Sequence, residues 1–387
     1  MEKQKICIIG GGLTGLVTAI SLSKLNCEID LITGNIKKNF RNNGTVAISE
    51  KNLNYLTKLN ISKSLKKVAW PCSTMKLYSE IKSDKFSEIL ELNNNKKSKK
   101  ILYMIKNSKI SQLLISKIKK INRISVRNAG NVSNISNIGL LKGVRLNNKD
   151  LKYNLVIICT GPNSHLVKKI FKNTKIESSY NEESITTTLS HNMLNNNIAR
   201  QIFLNDAILA LLPLSRRETS VVWSIKKKGK IYSSSSLKSK IKKYSKNYLQ
   251  NIKFKDEIRH KDLHFLVRNK LYQERTILFG DALHLIHPFA GQGFNMTLRD
   301  LASLEKILKE KINLGLDIGT YDVLSEYSKK IKARNFAFSV SLDVLKSTFS
   351  INNKYFKNIR NNVVKKINKN NFIKDIFFSI ANKGFKF

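Results

Sequence analysis

Four consecutive apolar residues, Ile6, Cys7, Ile8 and Ile9, form the first clear pattern in the chain. An uninterrupted run of that length predicts a strand buried on both faces. Residues 13–25 then carry apolar side chains at helical spacing, and residues 28–33 return to strand character. Strand, glycine turn, helix and strand make a βαβ unit and predict a parallel sheet. A second buried-type run, Leu-Val-Ile-Ile at 155–158, adds to it, as does a returning strand at 275–279. Between residues 33 and 155 lie a helix near 108–120 and strand-like pieces near 124–127 and 140–146. From about 178 to 224 the segments become short, β-branched and separated by turn residues (184–190, 207–212, 219–224), which predicts an inserted, mainly antiparallel sheet. A helix follows near 237–249, and from Leu298 onward the pattern is helical with lysine-rich polar faces. There is no internal repeat. Pro71, Pro162, Pro213 and Pro288 all fall at strand ends or turns, where a missing N–H costs little.

Composition narrows the class. The chain has 387 residues, 41% of them hydrophobic, enough to build a substantial core. Four scattered cysteines (Cys7, Cys27, Cys72, Cys159) without a CxxC pair argue against a disulfide scaffold or a cysteine-based zinc site. The net charge of +43 is mostly lysine spread along the whole chain, in runs such as 96–100 and 226–230. It reads as a drift towards Lys, Asn and Ile at solvated surfaces, and no nucleic-acid recognition motif accompanies it. The apolar stretch 6–22 behind Lys3 and Lys5 imitates a signal peptide. Gly10, Gly11, Gly12 and Gly15 interrupt it, no A-x-A site follows, and it falls short of the ~20 residues a membrane span needs. The expectation is a chain without transmembrane segments.

Two motifs carry chemistry. Gly10-x-Gly12-x-x-Gly15 lies between a strand and a helix, where glycines permit a tight turn and let a pyrophosphate approach the helix N-terminus. The acidic residue expected to end the second strand is absent. Thr33-Gly34-Asn35 stands there, Asp30 lies earlier in the strand, and Thr33 or Asn35 offers a weaker contact to a ribose. The second motif runs from Gly280-Asp281 to Pro288-Phe289-Ala290-Gly291-Gln292-Gly293-Phe294-Asn295 and on to Arg299-Asp300. Asp281 suits a polyol or ribose. The Pro288-to-Gly293 turn brings backbone N–H groups to a planar ligand, and a helix beginning near Asn295 favours negative charge there. His284 and His287 with Asp281, or with His260 and His264, would be an alternative metal set. The glycine and proline context already explains the segment, so no metal site is assigned, and no catalytic side chain is identified.

The stretch ILFGDALHLIHPFAGQGFNMTLRD closely resembles the GD motif of class A flavoprotein monooxygenases, and its second half resembles the ubiquinone-biosynthesis hydroxylases of that family. Phe40-Arg41 with Thr45–Ser49 resembles the segment where an arginine reaches the flavin. Residues 199–224 resemble the substrate-domain sheet, and 327–334 with Leu342-Asp343 the C-terminal helical region. At Cys159-Thr160-Gly161-Pro162-Asn163-Ser164 the family's Gly-Ala-Asp-Gly is altered, with Thr160 in place of the aspartate. The resemblance implies an α/β protein: a Rossmann-like FAD-binding domain (1–70, 97–175 and 265–330), an inserted mainly antiparallel β-sheet substrate domain (71–96 and 176–264) and C-terminal helices (331–387). It implies FAD bound by Gly10, Gly12, Gly15, Arg41, Gly280, Asp281, Pro288, Gly291, Gln292, Gly293 and Asn295, with NAD(P)H as reductant. The implied reaction is hydroxylation of a polyprenylated phenol in ubiquinone biosynthesis with O₂ through a flavin C4a-hydroperoxide. A hydroxylase of a small soluble phenol and a non-catalytic flavin-fold scaffold in a quinone-biosynthesis complex are the alternatives. The expected location is cytoplasmic, or peripheral on the inner membrane. For the C-terminal stretch, Phe372, Ile373, Ile376, Phe377 and Ile380 fall on one helical face beside lysines, and both a core-capping helix and a lipid-resting one are consistent with that.

Overall fold

The computed structural model describes residues 3–34, 44–82, 85–93, 100–128, 132–172, 175–227, 232–288, 291–351 and 353–370. Arg41, Asn35, Phe289, Ala290 and the segment 372–380 therefore lie outside the described residues.

The strand Gln4–Ile9 sits inside a six-stranded sheet, flanked by Cys27–Thr33 on one side and Leu155–Ile158 on the other, with Ile124–Asn128 and Thr276–Leu278 beyond them. All these neighbours pair in parallel, and only the short edge strand Tyr272–Gln273 is antiparallel. Ile6, Cys7 and Ile8, like all four residues of Leu155–Ile158, are completely buried. Both faces are covered, which is why these strands read as unbroken apolar runs rather than alternating ones. The helices Leu13–Leu22, Asn107–Ile118 and Gln292–Asn313 pack into the same core as a three-stranded antiparallel sheet (Asn134–Ile138, Leu141–Leu146, Lys149–Tyr153) that contributes Val144, Leu146 and Tyr153. Each fully buried aliphatic side chain contributes roughly 1.5–3 kcal/mol relative to exposure.

The second large sheet has nine strands among the described residues. Its path runs His284–Leu285, Arg259–Arg268, Lys175–Ser190, Glu218–Lys226, Ala207–Pro213, Ile198–Phe203, Thr74–Lys82 and Lys85–Asn93, and Lys253–Phe254 pairs beside Lys175–Ser190. Pairing is antiparallel throughout except between Ile198–Phe203 and Thr74–Lys82. The sequence divisions at 175/176 and 264/265 fall within strands Lys175–Ser190 and Arg259–Arg268. A small sheet of Thr45–Ser49, Leu102–Lys106 and Trp70–Cys72 stands between the two large ones in the chain path, with Pro71 on its edge strand.

Several boundaries move for local reasons. The helix expected near 237–249 spans Ser234–Ser245, because the Ser233 side chain caps it by accepting from Ser236 N at 3.2 Å. The helix expected near Asn295 begins at Gln292, because Gly291 takes left-handed geometry (φ 64°, ψ 30°) as its N-cap. His284 forms a two-residue strand with Leu285 against Leu266 and Val267. The last two helices among the described residues are Tyr321–Ser350 and Lys354–Lys369. Among the described residues, no helix is long and apolar enough to cross a membrane.

Candidate flavin site

The carboxyl ends of the parallel strands converge on one edge. Gly10 N donates to Ile32 O (2.9 Å), Cys159 N to Ile9 O (2.7 Å) and Phe279 N to Ile158 O (3.0 Å), so the loops at Gly10, Gly34, Cys159 and Gly280 emerge side by side. Cys27–Thr33 and Leu155–Ile158 flank the first strand on opposite sides, which creates a crevice beyond it, where open α/β sheets take ligands.

The glycines divide into two kinds. Gly10 (φ 125°) and Gly15 serve packing: a Cβ on Gly15 would lie 1.8 Å from Gly10 O, and one on Gly10 would lie 2.6 Å from Cys159 O. Gly280 (φ 64°) likewise admits Thr14, 2.7 Å from where its Cβ would stand, and Gly291 admits Ala47 at 2.7 Å. These contacts join the first helix, the Gly280 segment, the Gly291 turn and the strand Thr45–Ser49 around one space. Gly12 and Gly293 differ, because a Cβ on either meets nothing within 4 Å. They face open room at the starts of helices Leu13–Leu22 and Gln292–Asn313, neither of which has an acidic residue in its first turn. The unpaired N–H groups and positive ends of both helices are thus left for an anionic or electron-rich ligand.

Asp281 follows Gly280 in a short 3₁₀ turn and is exposed to solvent, yet protein crowds it enough to push its carboxyl pKa up by desolvation. That combination describes a group lining a concave site. Gln292 is buried, and its Oε1 has no hydrogen-bond partner, so a ligand N–H would satisfy it. Open room at Gly12 and Gly293, two uncompensated helix starts and an orphaned acceptor beside them fit FAD. Pro288 precedes the turn, and its carbonyl lies 3.5 Å from Gly291 N.

Asn295 has a different task from the ligand contact expected of it. Its side chain is completely buried, donates to Ala47 O (2.8 Å) and Gly291 O (3.1 Å), and accepts from Ser49 N (2.9 Å) and Asn52 Nδ2 (2.8 Å). Every polar site on the amide is committed to protein, so Asn295 holds the glycine turn against its neighbours. Asn52, Ala47 and Thr14 complete this frame; Ala47 and Thr14 lie inside segments the sequence marks, while no motif singles out Asn52.

The missing acid is not supplied from elsewhere in the strand. Asp30 accepts from Arg127 Nε (2.8 Å) and Tyr153 OH (2.6 Å), while the Thr33 hydroxyl donates to Gly34 O (3.2 Å). Thr160 is exposed on the loop after Leu155–Ile158. All four cysteines are buried free thiols, and burial pushes Cys27 and Cys72 up to about 12, so they are inert.

A buried charged group borders the Pro288 turn. A bulge between Ser179 and Glu182, with Asn181 in left-handed geometry (φ 50°), re-aims the strand Lys175–Ser190. Glu182 thereby meets His287 Nε2 (3.1 Å) and Lys346 Nζ (2.7 Å), all three side chains being buried. The Tyr180 ring packs edge-on to His287 (5.3 Å), with Lys346 Nζ 4.3 Å from the ring centroid. Burial pulls the Glu182 carboxyl pKa up, but the bonds from His287 and Lys346 outweigh it and leave the group below its usual range. Sequence reasoning missed Glu182, Tyr180 and Lys346, because nothing in their local pattern marks them. His260 pairs separately with Glu183 (3.0 Å) at the surface.

Comparison with known proteins identifies the family and the fold. The chain belongs to the FAD binding domain family, whose match spans residues 3–335. It is similar to the mitochondrial ubiquinone biosynthesis monooxygenase COQ6 of Dictyostelium discoideum, 24% identical over 97% of this chain and 90% of that one. It is also similar to the ubiquinone hydroxylase UbiM of Neisseria meningitidis, 29% identical over 39% of this chain and 34% of that one. Among solved structures, p-nitrophenol 4-monooxygenase PnpA of Pseudomonas putida superimposes with a TM-score of 0.82 at 16% identity, all of both chains covered. HpxO of Klebsiella pneumoniae, complexed with FAD and uric acid, does so with a TM-score of 0.78 at 12% identity, covering 98% of this chain and 97% of that one. The fold is that of FAD-dependent monooxygenases.

Proposed function

We propose that this protein is an FAD-dependent monooxygenase that hydroxylates the aromatic ring of a polyprenylated phenol in ubiquinone biosynthesis, with NAD(P)H as reductant and O₂ as co-substrate. The observation that carries the reading is the glycine frame around Gly12 and Gly293, in a chain similar along 97% of its length to a ubiquinone biosynthesis monooxygenase. Bound FAD supplies the electron storage and oxygen activation that side chains lack. The chain's residues do the rest. Gly12 and the first turn of Leu13–Leu22 receive the pyrophosphate, Asp281 takes hydroxyls of the cofactor's sugar chain, and Gly291–Gly293 with the helix behind them offset negative charge on the ring. Arg41 approaches the same ring in this reading.

We assign residues 1–70, 97–175 and 265–330 to cofactor binding, 71–96 and 176–264 to the substrate side, and 331–387 to a helical closure. Peripheral contact with an anionic membrane belongs to the same reading. It is supported by the helix Lys354–Lys369, which has six basic and no acidic residues and exposes Tyr355, Ile359 and Val363 at spacings of four. Such contact would bring a polyprenylated substrate within reach.

Deleting the gene tests the pathway. Quinone production should stop and an under-hydroxylated prenylphenol accumulate, whereas normal quinone levels would refute the assignment. Turnover of FAD-loaded protein alone on that prenylphenol, with NAD(P)H oxidation matched to product, excludes a purely scaffolding role.

A further inference from the structure

Next to the Gly280 segment, lined by Leu283 and His284 but by none of the flavin-frame residues, lies a cavity of about 510 Å³. Its wall is mainly apolar, formed by Val267, Leu271, Leu283 and Ile176 with Phe336 and Ala333 of the helix Tyr321–Ser350. The volume lies within the ~300–1,000 Å³ typical of small-molecule sites. One polar side chain in the wall is anomalous. His284 is only 3% exposed, and neither Nδ1 nor Nε2 has a hydrogen-bond partner. A buried polar group without a partner costs about 1–3 kcal/mol, and such orphans in native proteins call for an explanation. Burial also pushes this imidazole down to about 3, so it is neutral and offers one donor and one acceptor.

The surroundings indicate what completes the site. Phe336, at the wall, is half exposed, and Val340 and Val344 continue from it at spacings of four as exposed apolar residues along the same helix. An apolar strip thus leads away from the cavity. Lys329 and Lys332 line the cavity beside it, in a chain of net charge +43, so a second copy of this protein meets like charge at this face.

We propose that this cavity is a second binding site, distinct from the flavin crevice, for an oxygen-bearing aromatic or quinone ring with an apolar tail. The ring oxygen hydrogen-bonds His284, and the tail lies along Phe336, Val340 and Val344. The choice of ring rests on the prenylated-phenol reading, while the existence of the site does not.

The test is calorimetric titration of FAD-loaded protein with a benzoquinone carrying a ten-carbon alkyl tail, and with the same ring lacking the tail. The tailed probe should bind saturably at the cavity and at least tenfold more tightly than the bare ring. Ala333→Phe fills the cavity from an exposed wall position, and should weaken the tailed probe at least tenfold while leaving FAD affinity, read by flavin fluorescence, unchanged. His284→Leu should weaken the tailed probe as well. Equal binding by wild type and Ala333→Phe overturns the site. So does sedimentation showing a wild-type dimer that Ala333→Phe dissolves, since the face is then an interface between copies. If the probe binds as expected but no prenylphenol is turned over, the site stands and the hydroxylase reading falls.

Discussion

Asn295 illustrates how much depends on single side chains in this site. Its amide makes four hydrogen bonds in a completely buried position, so replacing it with alanine takes a partner from Ser49 N, Ala47 O and Gly291 O at once, and leaves Asn52 Nδ2 only the Asn295 backbone carbonyl. Asn295→Ala should cost about 2–4 kcal/mol in urea unfolding of the apoprotein, and FAD affinity should fall with it because the turn loses its anchor. An unchanged urea midpoint would mean that Asn295 is not the anchor. His284 makes a second residue-scale prediction. Its folded pKa of about 3 lies below the ordinary 6.5. Between these values the unfolded chain binds a proton that the native chain refuses, so stability is lost as pH falls through that window. Asp300, pushed up to about 6 by burial against the pull of Arg334 and Asn335, acts oppositely: its contribution is present at low pH and is lost as pH rises through 6. His284→Leu should therefore remove up to about 1.4 kcal/mol per pH unit from the acid-side loss, read as urea midpoints between pH 4 and 7. A variant that loses stability as steeply as wild type would show that His284 titrates normally.

At the scale of elements, Glu182, His287 and Lys346 bring three separate pieces together: the bulged strand Lys175–Ser190, the segment before Pro288 and the helix Tyr321–Ser350. Removing one member of a buried ion pair leaves the other charge uncompensated, at about 3–5 kcal/mol. Lys346→Met should destabilise the protein by that order, and adding Glu182→Gln should recover a substantial part of the loss in a double-mutant cycle. Strict additivity would mean that the two do not interact. This network also shows where sequence reading stops. Unbroken apolar runs at 6–9 and 155–158 announced the buried parallel strands, and the glycine spacing announced the crevice, because both follow from local geometry. Glu182 and Lys346 meet across more than 160 residues, and Lys76 finds Glu88 and Glu91 only once Thr74–Lys82 and Lys85–Asn93 pair. Such partners carry no periodic signal. Asn295 was singled out through its motif, but only its neighbours reveal that it clasps protein.

At the scale of the whole molecule, the proposed membrane contact assigns the basic, partly apolar outward face of Lys354–Lys369 to an anionic surface. The inner face of that helix is tied down, with Asn368 accepting from Glu91 N and Arg360 bonded to Phe349 O and Ser79 Oγ. Ile359 and Val363 point away and are 63% and 51% exposed, so charging them should spare the fold. Ile359→Glu with Val363→Glu should reduce co-sedimentation with anionic vesicles severalfold, and wild-type binding should weaken as salt rises. Equal recovery in the supernatant with and without anionic lipid would remove the membrane contact. The central claim concerns the flavin frame, and Gly12 tests it most directly, because a Cβ there meets no protein atom within 4 Å, whereas one on Gly15 would collide with Gly10 O. FAD is titrated into purified wild type and Gly12→Val, with flavin fluorescence and apoprotein thermal unfolding read on the same samples. The expected result is saturable binding by wild type and none by Gly12→Val, the two apoproteins differing by no more than about 1 kcal/mol. Wild type that takes up no FAD, or a valine variant that binds it as tightly, would contradict the account.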